Sequence, residues 1–143
     1  MRVIPNIELY DSAGSGNVMI NQGRPEKYGR RMLLLADGNL VEIGAMHGGY
    51  LPTSNVWRIN STTLAYTAFT AANFKHWRSD AVLLSNGKIL MTGSWNASLL
   101  NAVELYDPSV SGSTTTLTSL LTSRMWHKSI KLANEKVLIT VVQ

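Results

Sequence analysis

Three short stretches of this 143-residue chain set basic side chains beside aromatic ones. They are Tyr28-Gly29-Arg30-Arg31, Lys75-His76-Trp77-Arg78 and Arg124-Met125-Trp126-His127-Lys128. A guanidinium presents paired donors that match a carboxylate, and an indole presents a face to a sugar ring or a cation. The chemistry on offer is binding, of an acidic peptide or a carbohydrate. The candidate ligand-binding residues are Arg30, Arg31, His76, Trp77, Arg78, Arg124, Trp126 and His127, with Trp95 of Gly93-Ser94-Trp95 added. No catalytic residue is assigned: no nucleophile stands beside a base, and Gly14-Ser15-Gly16 opens no helix that could cradle a phosphate. No metal or cofactor site is expected either. His47, His76 and His127 are too far apart in sequence to share metal-ligand spacing, and the chain has 0 Cys.

The elements that must position these residues are short strands. Asp37-Gly38, Asn86-Gly87 and Asn134-Glu135 each sit between two apolar runs, and Asn-Gly and Asp-Gly are strong hairpin signals because tight turns need positive φ. The turns lie 49 residues apart (37 to 86) and 48 apart (86 to 134). A second landmark keeps the same interval. Ile7-Glu8-Leu9-Tyr10-Asp11 and Val103-Glu104-Leu105-Tyr106-Asp107 are nearly identical two periods apart, with Val56-Trp57-Arg58-Ile59-Asn60 between them. Asp11 and Asp107 read as turn formers, and Tyr10 and Tyr106 as packing residues.

A period near 50 built from short strands marks an array of blades rather than a sandwich. The motifs Asn86-Gly87-Lys88-Ile89-Leu90, Val103–Pro108 and Arg124-Met125-Trp126-His127 resemble the kelch repeat, in the variant of galactose-oxidase-like propellers. The fold class expected is all-β, a partial propeller of about three blade-equivalents. Residues 3–27 form the second half of a blade, 28–75 and 76–123 one blade each, and 124–143 the first half of another. Residues 3–11, Val18–Asn21, Val56–Asn60, Tyr66–Thr70 and Thr114–Ser119 read as strands, and Ala45–Ser54 as a Gly-rich loop.

The resemblance implies that the three basic and aromatic stretches lie on one face around the central channel. It implies equally that such Arg, His and Trp residues bridge neighbouring blades. Copper-radical oxidases share the propeller, and of their Tyr-His pair only His127 has a counterpart here, since Trp126 stands where the tyrosine belongs. Trp95 resembles their stacking tryptophan. Without a cysteine the cross-linked radical cofactor cannot form, so the reading is a chain that is not an enzyme: a non-catalytic binding module for protein or carbohydrate ligands. The alternative is a degenerate oxidase-type propeller that keeps the scaffold but not the cofactor.

The remaining partners follow from charge and count. A net charge of +4 is spread without basic runs, which argues against specific nucleic-acid binding. No apolar run approaches the ~20 residues of a membrane helix, and no membrane partner is expected. Closed propellers use about four to eight blades. The missing blades must come from a longer chain or from a second copy.

Overall fold

At Asp37-Gly38 and Asn86-Gly87 the chain reverses as its residue types demand. Gly38 and Gly87 take φ of 84° and 80°, and their amides donate back to Leu35 and Leu84, each at 3.0 Å. In the third unit Glu135 occupies the same left-handed position, φ 64°, and its amide donates to Leu132. These reversals organise twelve strands in the computed structural model, which describes residues 6–14, 16–21 and 28–140. The strands are β1 (Asn6–Asp11), β2 (Gly16–Asn21), β3 (Arg31–Leu34), β4 (Leu40–His47), β5 (Leu51–Ile59), β6 (Tyr66–Phe69), β7 (Asp80–Leu83), β8 (Ile89–Trp95), β9 (Leu99–Asp107), β10 (Ser113–Thr116), β11 (Ser129–Lys131) and β12 (Val137–Ile139). The expected strand start at 3–5, residues 22–27 of the expected half-blade and the final 141–143 lie outside the described residues.

Two sheets are complete antiparallel meanders, β3-β4-β5-β6 and β7-β8-β9-β10. Two are two-stranded, β1-β2 and β11-β12. The architecture is all-β and partial-propeller-like. A single core joins the two complete sheets: Leu35, Val41, Ile43 and Val56 pack with Ala81, Ile89, Met91 and Tyr106, and Ala72 lies in the connection between them. Each large apolar side chain removed from water there contributes about 1.5–3 kcal/mol.

Strand alternation decides what stays open. Leu33 and Leu35 turn to the shared core, whereas Met32 and Leu34 on the opposite face of β3 are exposed. Ile130, Leu132 and Leu138 of the last hairpin are likewise open. The first strand of a unit is therefore covered on both faces only where sheets flank it on both sides. Tyr10 departs from the packing role expected of it, being 69% exposed, while its repeat partner Tyr106 is fully buried.

The Gly-rich loop expected at 45–54 is mostly strand. β4 continues to His47 and β5 begins at Leu51, leaving three residues to turn. A bulge makes this possible. The β4–β5 register shifts between Ile43 and Ala45, and the β8–β9 register shifts at the equivalent place, between Thr92 and Ser94. Gly44 and Gly93 sit in those bulges with φ of 61° and 58°. Beside each, the chain entering the next unit runs in close contact. Ala45 N donates to His76 O at 3.1 Å and Ser94 N to Arg124 O at 3.0 Å. A Cβ on Gly44 would lie 1.8 Å from His76 O, and one on Gly93 2.4 Å from Arg124 O. Glycine is required at both because backbone meets backbone there.

Candidate functional site

The three basic and aromatic stretches share one backbone device. Gly29, Arg78 and Trp126 all have left-handed φ, 78°, 57° and 59°. The Trp126 amide donates to Arg78 O at 2.9 Å, and the Arg78 amide to Gly29 O at 3.4 Å. One residue from each successive unit is thus hydrogen-bonded to the next. Two of the three pay the left-handed penalty that only glycine escapes, of order 1 kcal/mol each. Gly29 has its own reason: a Cβ there would lie 2.3 Å from the Trp77 ring.

Along this ladder opens a cleft of about 180 Å³, lined by Gly29, Arg30, Arg31, Arg78, Ser79, Asp80, Trp126, His127 and Lys128. Five of the nine candidates meet in it: Arg30, Arg31, Arg78, Trp126 and His127. The other four do not line it. His76 is fully buried, its Nε2 2.5 Å from Glu104 Oε2. Trp77 is buried and packs edge-on against Trp95, ring centroids 5.1 Å apart. Arg124 donates to the carbonyls of Thr122 and Thr140. The contacts of these four are made in the framework and not in the cleft.

The charges of the cleft are unequal in standing. Arg30 pairs with Glu42 at 3.3 Å, and Arg31 with the buried Asp80 at 3.0 Å. Asp80 also accepts the backbone amide of Ser129, so one carboxylate ties all three units. Arg78 has no such partner among the described residues. Its guanidinium carbon sits 3.7 Å from the Trp77 ring centroid and 4.4 Å from that of Trp126, a cation held between two indoles. Lys128 is exposed and, among the described residues, also without a carboxylate. The His127 Nε2 lies 2.8 Å from Thr92 Oγ1, which contacts Ser129 Oγ at 3.0 Å. Burial pushes the His127 imidazole below its ordinary range, against the opposing pull of Asp80 and with help from Arg124 and Lys128.

Residue types alone did not mark Glu42, Asp80, Thr92 and Glu104 as part of this framework. A signal existed for Glu104, a carboxylate inside the otherwise apolar run Val103–Tyr106. It accepts from the amides of Asn73 and Phe74 as well as from His76, anchoring the connection between the complete sheets.

No protein-family model matches the chain, and no curated protein does. A solved structure of a fungal alcohol oxidase of the AA5 family, in complex with copper, superposes with a TM-score of 0.79 at 19% identity. The match covers 93% of this chain and 31% of that one. The likeness is one of fold. It corrects the expectation that the chain is not an enzyme: a copper alcohol oxidase is built on this same frame, so the frame offers no ground for excluding catalysis.

The residues present do not themselves fit a copper centre of that kind. The chain has 0 Cys, and among the described residues no three His, Cys, Asp or Glu side chains gather. His127 has committed one ring nitrogen to Thr92, and its Nδ1 is buried without a partner. What the segment shares with the oxidase is the propeller-like arrangement of antiparallel sheets.

Proposed function

We propose that this chain contributes about three blade-equivalents to a kelch-like propeller of the oxidase type, and that the cleft along Gly29, Arg78 and Trp126 is part of its substrate-receiving face. The units run 3–27, 28–75, 76–123 and 124–143, and the remaining blades come from a longer chain or from a second copy. The chain spans 31% of the length of the oxidase it resembles. The observation that carries the reading is the convergence of basic and aromatic residues from each of three units on a single cleft. Side chains with only a framework role would be paired and buried, as His76 and Glu104 are; Trp126 is 55% exposed, and among the described residues Arg78 lacks a carboxylate. An indole and a guanidinium held open in this way suit a carbohydrate or a protein side chain.

Titration of the 143-residue chain with monosaccharides and short acidic peptides, followed by tryptophan fluorescence, tests this. Saturable change that disappears in Trp126→Ala is expected. Binding unaffected by Trp126→Ala, or none to either class, contradicts the reading.

A further inference from the structure

Four cations line the cleft, and they divide into two kinds. Arg30 and Arg31 are neutralised by Glu42 and Asp80. Arg78 and Lys128 have no carboxylate among the described residues. The Arg78 guanidinium carbon lies over both the Trp77 and the Trp126 rings, and its side-chain N–H groups donate no hydrogen bond among the described residues. A planar cation with its donor edge free is a preorganised fork for a planar oxyanion. Next to it, more than half of Trp126 remains open, an apolar surface suited to the C–H face of a pyranose ring. The cleft, about 180 Å³, has the scale of a single small ring rather than of an extended chain.

From this placement we infer that the cleft receives an acidic sugar: Arg78 and Lys128 hold the carboxylate of a uronic acid, and Trp126 holds its ring. The inference rests on the reading of this cleft as the substrate-receiving face and narrows its ligand from carbohydrates in general to those bearing a carboxylate. A neutral sugar would leave both cations unmatched in a cleft that already contains two neutralised ones, and a bare anion would leave the Trp126 surface unused.

The test is a fluorescence titration of the full chain with glucuronate, glucose and inorganic phosphate at low salt. Glucuronate is expected to bind at least about tenfold more tightly than either of the others, as hydrogen bonds to charged groups require. Arg78→Gln and Lys128→Gln should each weaken it about tenfold, whereas Lys88→Gln, which removes the same charge beside Asp107 and away from the cleft, should not. Lys128 is exposed, so its variant carries the test even if Arg78→Gln fails to fold. Equal binding of glucose and glucuronate, insensitive to both substitutions, overturns the inference but leaves a sugar-binding face. Phosphate binding as tightly as glucuronate overturns the sugar assignment. No saturable binding of glucuronate overturns the inference, and if no neutral sugar or acidic peptide binds either, the reading of the face falls with it.

Discussion

The amide of Trp126 donates to the carbonyl of Arg78 at 2.9 Å, and the guanidinium of that same Arg78 lies against the Trp126 ring. Backbone and side chain of one residue are thus both engaged by its counterpart in the next unit. The left-handed backbone at each position turns the chain so that the pair can meet in this way. The cleft is therefore built by the contact between successive units, and its geometry depends on that contact.

Glycines at the bulges should be far less tolerant than glycines at the hairpin turns. Gly38→Ala and Gly87→Ala meet open space and carry only the left-handed penalty, about 1 kcal/mol. Gly44→Ala and Gly93→Ala drive a methyl into the backbone of the incoming chain and should lose about 3 kcal/mol or more. Urea denaturation of the four variants checks the ranking; equal losses would contradict the close approach.

Asp80 should be worth more than a surface ion pair, because it accepts from Arg31 of one unit and from the Ser129 amide of another while almost wholly buried. Asp80→Ala leaves a buried amide and a guanidinium without their acceptor, and a loss of about 2–4 kcal/mol is expected. Asp37→Ala removes the partner of Arg58 in an exposed pair, where about 0–1 kcal/mol is expected. Thermal melts of the two variants provide the comparison.

Much of this architecture is legible in the residue types. Asp37-Gly38 and Asn86-Gly87 marked the hairpins because positive φ selects few residue types, and the recurrence of Val103–Asp107 at Ile7–Asp11 marked the interval. The bulges were not legible. The run Ala45–Ser54 reads as a loop because nothing in the residue types shows the chain at His76 lying on Gly44, so Met46 and Leu51 do not read as strand residues. The division of the nine candidates was equally hidden. Whether Arg or His lines the cleft or lies buried in the framework depends on which side chains distant strands bring beside it, and those strands are not adjacent in sequence.

Stability should fall with acid in a way traceable to His127. Burial lowers its folded-state pKa below the ordinary 6.5, so above that value both states are neutral there and its contribution is fully present. As pH drops below 6.5 the unfolded chain takes up the proton first, and stability declines until the folded state is protonated too. Denaturation midpoints from pH 8 to pH 5 should show this slope, and His127→Gln should flatten it. An unchanged slope in the variant would place the titration elsewhere.

At the alkaline end Tyr106 contributes a second pH dependence. Burial raises its phenol to about 12 from 10.0, and its hydroxyl donates to Thr70 O at 2.7 Å. The raised value means a contribution that is complete below pH 10 and lost as pH climbs toward 12. Tyr106→Phe should cost about 1–3 kcal/mol at neutral pH, from the Thr70 carbonyl left without its donor, and should remove that alkaline loss. Equilibrium unfolding at pH 8 and pH 11 distinguishes this from a purely apolar role.

Hydrogen exchange at the amides of Arg78 and Trp126 tests the central claim most directly. Both residues sit in connections between strands, where amides ordinarily exchange fast. If successive units are tied through this ladder, the two amides will be protected nearly as well as those of β8 and will lose protection together in Asp80→Ala. Exchange of both at the rate of exposed loops, in a chain whose β8 amides remain protected, would contradict it.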